Sequence, residues 1–275
     1  MLIFIFSCSP SIESSYGVLG IDLGNAHSCL YTSDIVDCWG GNLSGESNGR
    51  PINAQDISLG AYHSCVLSPR GTISCWGNNA SGQLESTDRV YSSFSCGGNQ
   101  CCGVSNEDVF CWGVGFDNSF SFTQQIRNVS VGSGHACILS TQGEISCWGN
   151  EFFGITDAPS GTYVQISSGD YHSCALSQEG EIVCWGDNQY EQSTPPSGVF
   201  VDISMGSFHG CGFQENGDGV CWGWNQHGQT NIPDQKWYGI SAGGYHSCGI
   251  VQEGWVECWG QNSVGQLDVP SEYHE

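Results

Sequence analysis

The sequence predicts an all-β protein, an array of seven alike, short-stranded units closed into a single body. The first observation is a repeat. A cysteine is followed nine or ten residues later by Cys-Trp-Gly, seven times over, and each unit begins 35 to 37 residues after the last. The leading cysteines are Cys29, Cys65, Cys102, Cys137, Cys174, Cys211 and Cys248; the trailing ones are Cys38, Cys75, Cys111, Cys147, Cys184, Cys221 and Cys258. A period of this size along nearly the whole chain marks a stacked or circular repeat, not two ordinary domains. The second observation is composition. Forty Gly, twelve Phe, ten Tyr and ten Trp, with few long charged side chains, suit short strands and tight turns better than helices.

The fifth unit shows how each element arises. A first strand runs to Ser167, and Gly169 opens a turn. A second strand covers His172 to Leu176. The tip Gln178-Glu179-Gly180 leads to a third strand ending at Trp185, and a polar turn follows Gly186. A short outer strand fits the variable stretch beyond, so each unit reads as a four-stranded blade repeated radially.

Hairpin register follows from loop length. Five units close with a three-residue loop ending in Gly (Gly71, Gly143, Gly180, Gly217 and Gly254), which places Cys174 opposite Cys184. Two units close with two residues, Ser33-Asp34 and Asn106-Glu107, and there too Cys29 faces Cys38 and Cys102 faces Cys111. Counting outward puts the cysteines at non-hydrogen-bonded sites about 4.5 Å apart, within disulfide reach. Seventeen cysteines are far too many for a reduced cytosolic chain of this size unless they bind metal. No zinc-type Cys/His spacing recurs, which favours seven cross-strand disulfides over reduced pairs packed as small apolar residues. Cys96 and Cys101 stand outside the pattern, as an extra disulfide or as reactive thiols.

Five basic residues against twenty-eight acidic ones give a formal charge of -23. Nucleic-acid affinity rests on Lys and Arg neutralising phosphates, so nucleic acid is not an expected partner. The segment from Met1 to Cys8 is apolar and resembles the tail of a lipoprotein signal, with Cys8 as the lipidated residue. It lacks a basic start and is shorter than the usual signal core. No later segment is apolar enough to span a membrane.

The second unit carries Gly60, His63, Ser64, Leu67, Gly71, Trp76, Gly77, Asn79, Gly82 and Gln83; the seventh carries Gly243, His246, Ser247, Gly254, Trp259, Gly260, Asn262, Gly265 and Gln266. This pattern resembles the regulator of chromosome condensation (RCC1) repeat, over about residues 16 to 275. The resemblance implies a seven-bladed β-propeller over 16–275, preceded by the apolar segment 1–15. Residues Tyr16 to Asp22 precede the first unit and the last unit starts no new strand, so the two ends are expected to share one blade. The family includes a nuclear exchange factor for a small GTPase, a plant ultraviolet photoreceptor and secreted bacterial propellers that inhibit enzymes. The exchange-factor alternative lacks an inserted wedge here, and the photoreceptor's Trp cluster beside Arg has no counterpart in so Arg-poor a chain.

The recurrent histidines (His27, His63, His135, His172, His209 and His246) read as structural groups bonding neighbouring turns, since one residue per blade is too dispersed to hold one ion. The motif tryptophans read as filling between blades. No nucleophile elbow, phosphate loop or zinc-protease motif is present, so no catalytic residue, cofactor or metal is expected. A hydrolase built on an unspecific carboxylate pair, or a carbohydrate binder, is the remaining alternative. The variable turns after each Trp-Gly form a ring on one face, with Phe116, Phe152, Phe153, Tyr190 and Trp224 as candidate anchors unless they tuck under their own loops. Phe120, Phe122 and Trp237 add to the aromatic count, and Asp34, Glu107, Glu179, Glu215 and Glu253 mark an acidic rim at the hairpin tips. The expected protein is a monomeric, non-enzymatic, protein-binding module, secreted or surface-anchored.

Overall fold

A computed structural model describes residues 17–114, 119–122 and 124–275. Seven antiparallel sheets follow one another along the chain, each made from contiguous sequence. Blade 1 is Gly20–Leu23, His27–Tyr31 and Val36–Gly40; blade 2 is Asp56–Leu59, His63–Leu67 and Ile73–Gly77; blade 3 is Ser93–Gly97, Gln100–Ser105 and Asp108–Gly113. Blade 4 is Ile126–Val131, His135–Ser140 and Ile145–Gly149; blade 5 is Tyr163–Ser168, His172–Ser177 and Ile182–Gly186. Blade 6 is Phe200–Met205, His209–Gln214 and Gly219–Gly223; blade 7 is Trp237–Ala242, His246–Val251 and Val256–Gly260. The first strand of every blade packs against the first strands of its two neighbours, and that of blade 7 returns to blade 1. The ring is closed around a central channel.

The blades have three strands, not the expected four. Among the described residues blade 3 alone gains a fourth, Ser119–Ser121. In blades 1 and 6 an isolated bridge stands in its place, Val36 with Arg50 and Asp218 with Lys236. Proline supplies part of the reason. Pro51, Pro159, Pro195, Pro196, Pro233 and Pro270 lie in the return segments of five blades, and a proline cannot donate to a ladder. The return segments of blades 2 and 3 have none, and of these blade 3 forms the strand.

Among the described residues the two ends do not share a sheet either. Gln266, in the turn after blade 7, places its carbonyl under blade 1, where it accepts from Trp39 Nε1 at 3.0 Å and Ser28 Oγ at 3.1 Å. Val18, Leu23, Leu30 and Trp39 pack with Ile250, Val256 and Tyr273 in one apolar cluster. Each turn already reaches over the next blade, so the last turn closes the ring without exchanging a strand.

Register is as the loop lengths dictate. Gly71, Gly143, Gly180, Gly217 and Gly254 are left-handed at their hairpins, and Asn106 and Glu107 take φ of 50° and 71° in the tight loop of blade 3. Every leading cysteine lies opposite its trailing partner. All seven pairs are bonded with Cα atoms 4.0–4.1 Å apart. Cys96 and Cys101 form an eighth disulfide across the first hairpin of blade 3. Cys8 lies outside the described residues.

Candidate binding face and central channel

Strand direction sorts the loops. The turn between first and second strands and the turn after Trp-Gly lie on one side of the ring; the hairpin tips lie on the other. The post-Trp-Gly turns are held by their own side chains. In blade 5, Gln192 folds back so that its Oε1 accepts from Tyr190 N at 2.8 Å and its Nε2 donates to Asp187 Oδ2 at 2.9 Å. Gln83, Gln229 and Gln266 repeat the first of these bonds, and Glu46 does so with both oxygens. The carbonyl of the same residue then accepts the indole of the next blade, as Gln192 does from Trp222 at 2.9 Å and Glu46 from Trp76 at 2.9 Å. A buried polar side chain thus fixes the tips of blades 1, 2, 5, 6 and 7 to the core; in blade 4 buried Ile155 holds that place and its carbonyl accepts from Trp185 at 2.8 Å. A tip so held presents its residues without losing much freedom on binding.

Those tips and the adjacent first turns carry a continuous aromatic surface over blades 4 to 7. Phe153 meets Tyr171 edge-on at 6.4 Å between centroids, and Tyr171 meets Phe208 at 5.8 Å. Tyr190 contacts Phe208 at 5.8 Å and Trp224 at 6.1 Å. Tyr245 stacks on Phe208 and meets Trp224 at 5.3 Å, while His227 packs edge-on against Trp224. Phe152 and Phe153 are 69% and 65% exposed, and Tyr171 and Tyr190 are also exposed. Edge and offset ring contacts add modest stability to the patch while leaving its outer faces open.

Of the candidate anchors, Phe153, Tyr190 and Trp224 fall within this network, and Phe152 stands exposed beside it. Phe116 lies outside the described residues. Trp237 is a core residue, 1% exposed and 5.2 Å from Trp259 between ring centres, because it begins the first strand of blade 7. Phe122 packs on Trp148. The sequence reading missed Tyr171, Phe208 and Tyr245, which immediately precede the repeating histidine. The signal was variation at that place, which reads Ala26, Tyr62, Asn99, Gly134, Tyr171, Phe208 and Tyr245.

The histidines bond across blade seams rather than within their own turns. His27, His135, His209 and His246 share hydrogen bonds with Ser64, Ser173, Ser247 and Ser28 of the following blades at 2.7–2.9 Å. His63 meets Cys101 Sγ at 3.1 Å instead. His172 faces Gly210, and its Nε2 has no partner among the described residues. Burial lowers these imidazoles from 6.5 to about 3 or 4, so they stay neutral. The ligand atoms of His63, Cys65, Cys96 and Cys101 lie within 4.8 Å of one another, but all three sulfurs are committed to disulfides and offer no thiolate.

Polar side chains recur around the channel wall. Ser58, Ser95, Ser130, Ser167 and Ser204 each accept a backbone N–H from the next blade at 2.9–3.1 Å. Asp22 holds the equivalent place in blade 1, accepting from Leu59 N at 2.8 Å. Farther along, toward the hairpin side, Asp56, Asn128, Gln165 and Asp202 line the lumen, and Gln165 Nε2 donates to Asp202 Oδ1 at 2.6 Å. Burial raises Asp22 and Asp202 to about 6; burial, with repulsion from Asp22, raises Asp56 to about 7. Asp56 is exposed to the channel, which tempers that penalty.

The family model of the regulator of chromosome condensation (RCC1) repeat matches residues 54–83, 126–155, 163–192, 200–229 and 238–266, more than half of the chain. The chain belongs to the RCC1 repeat family. No curated protein matches it in sequence. Among solved structures, this RCC1-repeat chain is similar to the CRINKLY ectodomain of the Arabidopsis thaliana receptor kinase ACR4, with 26% identity and a TM-score of 0.78. That match covers 89% of this chain and 94% of the other. The ectodomain of the receptor kinase CR4 from Physcomitrella patens matches with 26% identity and a TM-score of 0.77, over 89% of this chain and 73% of that one. Prp20p of Saccharomyces cerevisiae, described with its binding to Gsp1p and histones, shares the fold at 18% identity and a TM-score of 0.70, covering 79% and 74%. Among the described residues no helix is long and apolar enough to cross a membrane.

Proposed function

We propose that this RCC1-repeat propeller is an exported, non-enzymatic module that captures a protein partner through its aromatic turn face. One observation carries the reading: rings from four successive blades meet in a single exposed network, on turns fixed to the core by buried side chains. Interface anchors are enriched in such residues, and rigid presentation lowers the ordering cost of association. Eight disulfides among the described residues support an oxidising compartment, as does likeness to two receptor ectodomains. A photoreactive amino acid at Tyr190 should cross-link a partner in material from the native source, whereas one at Glu179, on a hairpin tip, should not. Cross-links confined to Glu179 would move the site to the other face. Nearly seventeen free thiols in denatured, unreduced native protein would return the chain to the intracellular exchange-factor reading.

A further inference from the structure

The two sides of the ring differ in charge as well as in shape. Every basic residue lies toward the hairpin side. Arg70 is in the hairpin of blade 2, and Arg89 lies close by, where Tyr91 N bonds Gly71 O. Arg127 begins the first strand of blade 4 beside its hairpin. Arg50 bridges to Val36 at the start of a third strand, and Lys236 pairs with Asp218 after the hairpin of blade 6. The turn face carries no Lys or Arg. Among its aromatics stand Glu151, Asp170, Asp187 and Glu191.

At the centre of that face the channel opens as a cavity of about 350 Å³, and Asp170, Tyr171, Ser207, Phe208 and Tyr245 line its mouth. We infer that this mouth receives a Lys or Arg side chain from a basic segment of the partner, seated between the Asp170 carboxyl and the rings of Tyr171, Phe208 and Tyr245. An aromatic face attracts a cation through its quadrupole, and the attraction grows as water is removed. A carboxylate at the same mouth supplies the compensating charge. Asp170 is half-buried and its carboxyl is raised by burial, against the lowering effect of Ser207, so it bears a desolvation cost that an arriving cation relieves.

A second observation points the same way. Gly45, Gly82, Gly154, Gly228 and Gly265 all take left-handed φ just before the residue whose carbonyl or side chain supports the turn; in blade 5 that place is held by Glu191 at 64°. A residue with a side chain is strained there. Blade 5 accepts that cost at the centre of the aromatic patch and thereby adds a carboxylate beside Tyr190.

This inference rests on the aromatic face being the binding face, and the test separates the two. Fluorescein-labelled octalysine, octaglutamate and octaserine are titrated by anisotropy into the full chain. Octalysine should bind one-to-one, weaken at least tenfold with Phe208→Ala or Asp170→Asn, and change less than twofold with Glu179→Gln, which removes the same charge from the hairpin side. Thermal melts confirm that each variant is folded. Equal octalysine binding by all variants means diffuse attraction to an acidic protein and overturns the inference, as does comparable binding of octaserine. If Phe208→Ala abolishes partner cross-linking at Tyr190 while octalysine shows no site preference, the face stands and its basic ligand falls.

Discussion

The Ser241 hydroxyl donates to Asp22 Oδ1 at 3.2 Å, joining the seventh blade to the first across the seam where the chain's two ends meet. The other Asp22 oxygen accepts Leu59 N, so one carboxylate ties three blades together. Asp22→Ala strands the Leu59 N–H at the seam of blades 1 and 2 and the Ser241 hydroxyl at the seam of blades 7 and 1, and should cost about 1–3 kcal/mol in urea unfolding. Asp22→Ser restores the serine found in the other six blades and removes a carboxyl that burial disfavours. It should be at least as stable as wild type at pH 7. Equal losses for both variants would show that the seam needs charge rather than an acceptor.

Among the described residues His172 is the recurrent histidine whose two ring nitrogens both lack a partner. Supplying a serine at Gly210 alone should fail, because a Cβ there sits 2.6 Å from the Trp222 ring and 2.8 Å from Met205 Sδ. Overpacking of that kind costs about 1–3 kcal/mol. Blade 5 shows the compatible arrangement, in which Ser173 pairs with Ser168 at 3.0 Å and with His135. Met205→Ser combined with Gly210→Ser copies it, and should recover about 1 kcal/mol over Gly210→Ser alone. Strict additivity of the two changes would rule out the copied bond.

Much of this was legible in the sequence, and the failures share a cause. Cys-to-Cys spacing and loop length gave the blade number and cross-strand register because both are local. The expected fourth strand was not local: prolines and self-bonded turns compete with it. The His–Ser bonds join residues of adjacent blades, about one repeat apart except for His246 with Ser28 across the ring closure, so a single unit read alone assigns the imidazole to its own turn. Phe152, Phe153, Tyr190 and Trp224 stood out because they break the repeat. Tyr171, Phe208 and Tyr245 sat inside it and passed for architecture.

Stability should rise from pH 4 to about 7 and level off above it. The buried histidines have folded values of about 3 to 4, below their unfolded 6.5, so the unfolded chain takes up more protons as pH falls through 6.5. Their contribution is present above 6.5 and lost toward 4. Asp22, Asp56 and Asp202 run the other way: with folded values of about 6 to 7, they favour the folded state when protonated, an advantage lost as pH rises from about 4 through 7. Histidines outnumber these carboxyls two to one, so net stability falls on acidification below 6.5. Above it the histidine and carboxyl tails fade together, the histidine one being the larger, so the curve flattens. Urea midpoints from pH 4 to 8 check this; a steady rise in stability down to pH 4 would contradict it.

Cys96–Cys101 should be among the least costly disulfides to remove. It closes a separation of 5 residues, against 10 for Cys174–Cys184, and a shorter loop restrains the unfolded chain less. In the variant Cys96→Ala, Cys101→Ser, the new hydroxyl occupies the place that Ser64 takes beside His27, and offers His63 the same bond. The loss should be no more than about 2 kcal/mol, against about 3 kcal/mol for Cys174→Ala with Cys184→Ala. Reversed costs would mean that the cluster of sulfurs around His63 carries more of the packing than loop closure does.

Glu191→Gly should separate stability from binding. Glycine matches the other described turns at this place and relieves a left-handed residue, a gain of about 1 kcal/mol reduced by the greater freedom of glycine in the unfolded chain. Calorimetric melting should therefore be unchanged or slightly higher. The Gln192 bond that supports Tyr190 uses backbone and side-chain atoms outside the substitution, so the tip keeps its shape. What disappears is one carboxylate on the aromatic face, and octalysine should bind the variant several-fold more weakly. Phe152→Ala with Phe153→Ala gives the companion measurement. Both rings are mostly exposed, so partner cross-linking should drop while the melting temperature moves by no more than a degree or two, and a fall of ten degrees would identify them as packing residues instead.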